Sequence, residues 1–263
     1  MTLLKLEALP VLPFQQPTFL INHVSLSKEG NSIMRRRTLL SFLPAAALAS
    51  HLPAIGQSQS VAKAAQSNPV AGMFEGCTWY GEPPKFSIAQ NALHVTTAHD
   101  TDYWRITSYG FIHDNGHFFA KRINGGFTAQ VRIRAKFKDL YDQAGLMVRI
   151  DQHQWIKVGA EFSDGQPMFS TVLTNEKSDW SVMPAPAYTD GFWIRITVND
   201  GVVRAQYSID NKNWPMLRLA PFPNAAQYLV GPMCCTPKGN GLEVEFSEFD
   251  VKPAVRKDLH DLS

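Results

Sequence analysis

The sequence predicts an all-β protein built as a sandwich of antiparallel sheets, and three observations lead there. Apolar and polar residues alternate one by one through segment after segment between residues 86 and 251, the period of a strand with one buried face. Turn-forming residues separate these segments, as at Gln90-Asn91, Asp164-Gly165 and Asn199-Asp200-Gly201, where a tight hairpin needs positive φ. No segment before residue 254 carries the longer period of an amphipathic helix, and no fixed-period repeat points to a propeller or a solenoid.

Phe86–Ile88 and Ala92–Thr97 pair around Gln90-Asn91, and Trp104–Ile106, Phe118–Lys121 and Phe127–Ala135 come next. Asp139–Leu173 reads as three antiparallel strands. In the first, Ala144, Leu146, Val148 and Ile150 alternate with Gln143, Gly145, Met147 and Arg149. In the second, Ile156, Val158, Ala160 and Phe162 alternate with Trp155, Lys157, Gly159 and Glu161. One face is therefore apolar, and the other gathers Gln143, Arg149, Trp155, Lys157 and Glu161. On a solvated sheet, the Arg, Lys and Glu of that face would simply pair across strands. Phe192–Val198 and Val203–Ile209 form a hairpin, and Tyr228–Met233 and Gly241–Val251 close the fold. In the last segment Leu242, Val244 and Phe246 fall out of register with Phe249 and Val251, so a bulge is expected near Ser247-Glu248.

The chain has 263 residues and a formal net charge of +2. Beyond residue 60 it carries 20 basic and 21 acidic residues. That balance gives no electrostatic reason to expect nucleic acid or an anionic membrane as partner. Residues 1–33 read as an upstream extension before Met34. From Met34 the basic cluster Arg35-Arg36-Arg37, an apolar run from Leu39 to Ala49 and a stretch of small residues have the grammar of an export signal. Arg36-Arg37-Thr38-Leu39-Leu40 resembles the twin-arginine motif. The apolar run is about half the ~20 residues a membrane span needs. Residues 34–60 are thus expected to hold a twin-arginine-type export signal and the start of a linker, 61–75 the linker, 76–253 the domain and 254–263 a tail, in a periplasmic or secreted protein. The three cysteines, Cys77, Cys234 and Cys235, do not form a disulfide framework. Cys234 and Cys235 are adjacent on a strand, so one should enter the core and the other an exposed or interfacial position. A disulfide from Cys77 to either stays open if the domain matures in an oxidising compartment.

Four constellations carry chemistry. Residues 102–119 hold Trp104, Tyr109, His113, Asp114 and His117 among other aromatics, a mixture that suits a sugar ring stacked on aromatics with a few fixed polar partners. His113, Asp114 and His117 are too loosely spaced to support a metal site. The polar face of Asp139–Leu173 is the second constellation. The third, Glu243-Val244-Glu245-Phe246-Ser247-Glu248, superficially resembles a catalytic glucanase strand, but the bulge turns its glutamates to water. The fourth, Asn175 to Ser181, reads as a polar turn whose Asp179 and Trp180 complete a rim. No Gly-x-Ser-x-Gly elbow or phosphate-cradling loop is present.

Several of these segments are familiar. Tyr109–Phe119, Tyr141–Arg149, Trp155-Ile156-Lys157, Ser178-Asp179-Trp180-Ser181, Glu82-Pro83-Pro84 and Val230-Gly231-Pro232-Met233-Cys234 resemble, in order, the "regulation of enolase" family of uncharacterised domains. The resemblance covers about Cys77 to Pro253. It implies a concanavalin A-like jelly-roll sandwich of two antiparallel sheets, one of them concave. It transfers no catalytic residue, because the family has no settled activity. The expectation is an exported, non-catalytic domain that binds a carbohydrate or glycan-like ligand on the concave face, without cofactor or metal. The expected contacts are Trp104, Tyr109, Asp114, His117 and Gln143, with Arg149, Trp155, Lys157, Glu161 and Trp180. Two alternatives stand beside it. One is a carbohydrate-active enzyme using Glu161 with Asp114, Asp142 or Asp151. The other is a protein-interaction domain with a flat apolar patch. The oligomeric state is left open.

Overall fold

The structure, a computed structural model, describes residues 72–187 and 190–263. The expected extension, the export signal and the linker up to residue 71 lie outside the described residues. Among those described there are sixteen strands and no helix.

The strands form two seven-stranded antiparallel sheets packed face to face. The first contains β1 (Thr78–Tyr80), β6 (His117–Asn124), β15 (Gln227–Cys235), β8 (Gln143–Arg149), β9 (Gln154–Ser163), β10 (Gln166–Asn175) and β11 (Lys177–Pro184), in that spatial order. The second contains β14 (Met216–Pro221), β13 (Val202–Ser208), β12 (Phe192–Asn199), β7 (Phe127–Ala135), β16 (Glu243–Pro253), β3 (Ala92–Thr96) and β2 (Lys85–Ala89). The chain changes sheet between β6 and β7, between β7 and β8 and between β15 and β16, as a two-sheet jelly roll requires. The remaining strands, β4 (Tyr103–Arg105) and β5 (Ile112–Asp114), form a separate hairpin.

The inward faces follow the alternation in the sequence. Ala144, Leu146, Val148, Ile156, Val158 and Ala160 of the first sheet meet Ala129, Val131, Ile133, Ile194 and Ile196 of the second in one buried cluster. Removing such surface from water is worth about 25 cal/mol per Å² of apolar area. Register is held by two-residue turns with both residues at positive φ: Gln90 and Asn91 at 52° and 60°, Asp164 and Gly165 at 53° and 78°, Asp200 and Gly201 at 49° and 78°. These are the primed turns whose twist matches that of the strands they join. The bulge falls where expected. Pairing of β16 with β7 shifts between Ser247 and Asp250, and Glu248 sits at φ 51°.

Three elements differ from the sequence reading. Asn175–Ser181 is not one polar turn: only Glu176 turns, and an edge strand, β11, starts at Lys177. Ordered packing begins before residue 76, since Phe74 is buried against Phe119 and Phe249. The last ten residues pack on the second sheet: Thr128 Oγ1 accepts the Val255 N–H, and the Leu262 carbonyl accepts the Trp214 N–H at 2.8 Å. All three cysteines are free. Cys234 enters the main core, as expected of one of the pair. Cys235, expected to be exposed or interfacial, is buried too, in a second apolar cluster.

That second cluster explains the largest departure. Residues 99–116, which carry β4 and β5, fold back over the outer face of the first sheet. Tyr103 and Trp104 of this segment pack together with Phe118, Met147, Trp155, Val172, Met233 and Cys235 beneath it. The face that reads as the wet side of a sheet is largely roofed.

Candidate functional site

The roof is clamped at several points. The Arg105 N–H donates to Ser178 Oγ at 2.9 Å, and the Arg105 guanidinium reaches the Glu176 carbonyl at 3.2 Å and His153 Nδ1 at 3.0 Å. At the β5 end, Arg149 and Asp114 form two hydrogen bonds of 2.5 and 2.7 Å. Burial works against the Arg149 charge, but the bonds to Asp114 outweigh it and hold its pKa above the ordinary value. At the start of the roof, Thr101 Oγ1 accepts the Thr236 N–H at 2.9 Å. The loop between β4 and β5 contains Ile106 at φ 65° and Ser108 at φ 63°. Positive φ in a β-branched residue is an outlier that the surrounding contacts must hold in place. Here the Ile106 N–H meets the Phe111 carbonyl at 2.8 Å, and the Gly110 N–H meets the Ile106 carbonyl at 2.6 Å.

Between roof and sheet the structure leaves a pocket of about 200 Å³. Its wall is an arc of rings. Trp104 meets Trp180 edge-on at 6.3 Å and Tyr109 at 5.7 Å; Tyr109 stacks on Phe111 at 5.2 Å. Tyr141 meets Trp180 edge-on at 6.5 Å from the other side, and its hydroxyl hydrogen-bonds Tyr109, which foremost pushes the Tyr141 pKa up to about 12. The indole N–H groups are committed to protein acceptors: Trp104 Nε1 to the Thr107 carbonyl at 3.0 Å, Trp180 Nε1 to Ser170 Oγ at 3.0 Å. What these tryptophans offer the pocket is therefore their rings. His113, Val172, Pro237, Lys238 and Asp100 complete the lining.

The floor is polar and buried. Lys157 donates to Asp102 Oδ1 at 3.1 Å and to Gln143 Oε1 at 2.6 Å. Gln143 Nε2 donates to Asp102 Oδ1 and to the Tyr141 carbonyl. Burial opposes the Lys157 charge, yet the nearby negative groups, Asp102 foremost, prevail and raise its pKa. The ammonium is a fixed cation with its countercharge built in. Glu161 stands differently. Burial pushes its carboxyl up to about 7 and Asp102 adds to the shift, while Lys157 and the Ser170 hydrogen bond pull the other way. Ser170 Oγ receives the Trp180 indole N–H, so its own proton is free to go to Glu161 Oε2 at 3.1 Å. Glycine makes room beside this floor. Gly145 and Gly159 face each other across β8 and β9, and a Cβ on either would lie 2.1 Å from a carbonyl oxygen of the neighbouring strand.

Of the ten residues singled out in the sequence, Trp104, Tyr109, Gln143, Lys157, Glu161 and Trp180 line this pocket, and four do not. Trp155 is 1% exposed and packs edge-on against Tyr103 at 6.2 Å, with its Nε1 buried and lacking a partner among the described residues. His117 is buried: its Nδ1 donates to the Gly81 carbonyl at 2.8 Å, and its Nε2 accepts the Ala98 N–H at 2.9 Å. Burial lowers its pKa, and the neutral ring is a structural tie. Asp114 and Arg149 are spent on each other. The cross-strand pairing of Arg149, Lys157 and Glu161 that a solvated face would show does not occur: Arg149 bonds Asp114 and Lys157 bonds Asp102 of the roof, while Glu161 bonds Ser170 of β10.

The second carboxylate proposed for Glu161 must also be corrected. Asp114 holds Arg149, Asp142 Oδ2 accepts the Lys138 and Asp139 N–H groups, and Asp151 accepts those of His153 and Gln154 in the β8–β9 turn. The acidic group that shares the pocket floor is Asp102, which the sequence showed only as the first residue of an aromatic-rich segment. Phe111, Tyr141 and Lys238 also line the pocket without having been singled out in the sequence, whereas His113, part of the aromatic-rich constellation, does line it. Glu243, Glu245 and Glu248 lie on the second sheet. Glu245 pairs with Arg134 at 2.6 Å and Glu248 accepts the Trp193 indole N–H at 2.9 Å. A larger groove, of about 600 Å³, runs over that sheet past Lys85, His94, Arg134 and Glu245. Its Arg134 is already neutralised by Glu245 and Asp190, and it has one aromatic, Phe86, against five rings in the roofed pocket.

Residues 79–254 match the family described as "Protein of unknown function (DUF1349)". Regulation of enolase protein 1 of Saccharomyces cerevisiae is 52% identical over 188 residues, covering 71% of this chain and 94% of the yeast protein. The crystal structure of a functionally unknown protein from Saccharomyces cerevisiae superposes with a TM-score of 0.68 at 46% identity, covering 70% of this chain and all 100% of that one. A GH43 protein from Bacillus licheniformis superposes with a TM-score of 0.54 at 15% identity, over 70% of this chain and 39% of that one; at such identity the likeness concerns the fold alone. By the match over most of its length and by its identity to the yeast protein, the chain belongs to the DUF1349 family of unknown function.

Proposed function

We propose that the domain binds a saccharide unit in the roofed pocket of the first sheet. The observation that carries the reading is the division of labour in that pocket. Aromatic rings form one continuous wall, and buried polar groups form the floor opposite. A pyranose or furanose presents apolar C–H faces and hydroxyl edges in the same way, so rings and floor meet complementary surfaces. The cavity admits about one sugar ring, which makes the end or a side branch of a glycan the natural occupant.

Isothermal titration against a panel of mono- and oligosaccharides, with the wild type and Trp180→Ala, tests it. Binding by at least one member, weakened tenfold or more in the variant, is expected. The absence of heat from every member overturns it.

A hydrolytic reading has one observation in its favour, namely that Glu161 and Asp102 share the floor. In it Glu161 protonates a glycosidic oxygen and Asp102 serves as the second carboxylate. Release of nitrophenol from aryl glycosides by the wild type and its loss in Glu161→Gln separate hydrolysis from binding alone. The proposal also places the mature domain outside the cytoplasm, on the strength of the basic and apolar leader from Met34 to Ser60. Fractionation of cells expressing the full chain, with the domain recovered only from the cytosol, contradicts that part.

A further inference from the structure

The floor of the pocket has few open valences, and they define the ligand. Gln143 has both amide donors committed, from Nε2 to Asp102 and Tyr141, and its Oε1 accepts from Lys157. Lys157 has three N–H donors and spends two of them on Asp102 and Gln143. Asp102 receives Lys157, Gln143 and the Tyr103 N–H all on Oδ1; its Oδ2 takes no hydrogen bond from the described residues. Glu161 is bonded through Oε2 alone, to Ser170. The Trp180 indole donates to the same Ser170 oxygen, and the Ser170 hydroxyl donates in turn to Oε2. With Oε2 accepting from Ser170, a proton carried on Oε1 leaves that bond intact. The floor thus offers a ligand one N–H, one carboxylate oxygen and one acid O–H.

Charge around Glu161 points the same way. Lys157 on β9 faces it but is matched by Asp102. From β10 comes Ser170 and from β11 Trp180, neither of them charged. Tyr141 carries a pKa held above its ordinary value. Lys238, Asp100 and His113 stand along the rest of the lining. Among the described residues the one cation on the pocket floor, Lys157, already has its countercharge in Asp102. A ligand carboxylate seated on that floor would therefore add an uncompensated negative charge next to Asp102 and force Glu161 to keep its proton.

We propose that the pocket takes an uncharged saccharide unit and turns away the corresponding uronate, with Glu161 donating from Oε1 to a ligand oxygen and Lys157 and Asp102 completing the polar contacts. This deepens the saccharide reading above and rests on it. It makes ligand affinity depend on the Glu161 proton. With that group titrating at about 7, about 3% of the protein is competent at pH 8.5, and apparent affinity falls about 30-fold from its value at pH 5.5.

The test pairs neutral sugars with their acids: D-glucose with D-glucuronate and D-galactose with D-galacturonate, as free sugars and methyl glycosides. Each is titrated by calorimetry at pH 5.5, 7 and 8.5 with the wild type and Glu161→Gln. The neutral member of a pair should bind at least tenfold more tightly than its acid at pH 7. Its affinity should fall about 30-fold toward pH 8.5 in the wild type and hold constant in Glu161→Gln, whose amide keeps a donor at every pH. A uronate that binds as well as or better than its neutral partner, or wild-type affinity that ignores pH, overturns this inference and leaves saccharide binding standing. Silence from both members of both pairs, with binding of other neutral sugars also absent, removes the two together.

Discussion

Replacing Glu161 by Gln should stabilise the domain at alkaline pH and leave it nearly unchanged in acid. The carboxyl is 6% exposed and receives one hydrogen bond, from Ser170 at 3.1 Å. Burial lifts its pKa from 4.5 to about 7. Below pH 4.5 it is protonated in both the folded and the unfolded chain, and no penalty exists. Between about 4.5 and 7 the unfolded chain ionises and the folded one does not, so stability drains away as pH rises. Above about 7 both are ionised and the loss is complete, on the order of 3 kcal/mol. The amide of the variant cannot ionise. The gain of Glu161→Gln over the wild type should therefore grow by about 3 kcal/mol between pH 4.5 and pH 8.5. For a domain of this size that is roughly 6–12 °C in Tm. Urea unfolding followed by tryptophan fluorescence at a series of pH values reads it directly. A stability difference between the two proteins that stays flat with pH refutes the buried, proton-holding carboxyl.

Three further outcomes follow from the same contacts. Lys157→Met leaves Asp102 with its charge and without its cation, and should cost about 3 kcal/mol in urea unfolding, whereas Asp102→Asn combined with Lys157→Met should recover most of that; a double variant as unstable as the single one contradicts the pairing. Trp155→Phe should cost only about 1 kcal/mol, since the lost packing is offset by removal of a buried N–H that has no partner among the described residues, and should leave saccharide affinity unchanged, which Trp180→Ala should not. Burial pushes the Cys77 thiol up to about 11 and raises Cys234 and Cys235 further above their ordinary range. A thiol reagent such as DTNB at pH 8 should therefore find less than one reactive cysteine per folded chain and three after unfolding.

Much of the fold is legible in the sequence because its signals are local. Gln90-Asn91, Asp164-Gly165 and Asp200-Gly201 announce primed hairpin turns by residue type alone, and the strands beside them alternate cleanly enough to fix which side chains enter the core. Even the bulge at Ser247-Glu248 shows as a slip of the apolar register. The edge strands β11 and β14 show less, since residues such as Asp179, Ser181 and Val182 are exposed on both faces and burial leaves no period to read. The site is legible only in half. Gln143, Lys157 and Glu161 share a face by simple parity, and the aromatics of residues 103–111 stand out in the text. What turns them into a pocket is the docking of residues 99–116 across that face. The docking contacts join positions far apart in the chain, such as Asp102 with Lys157, Arg105 with Ser178 and Thr101 with Thr236. No periodicity encodes them, so the burial of Trp155 and His117, the mutual capture of Asp114 and Arg149 and the role of Asp102 emerge only in three dimensions.

The claim that the roofed face of the first sheet is a saccharide site is tested most directly by the indole N–H signals of the six tryptophans in ¹⁵N-labelled protein. During titration with a neutral sugar that binds, Trp104 and Trp180 should shift in proportion to occupancy, while Trp193 and Trp214 on the second sheet stay fixed. Shifts centred on Trp193 or Trp214, with Trp104 and Trp180 unmoved, would contradict it.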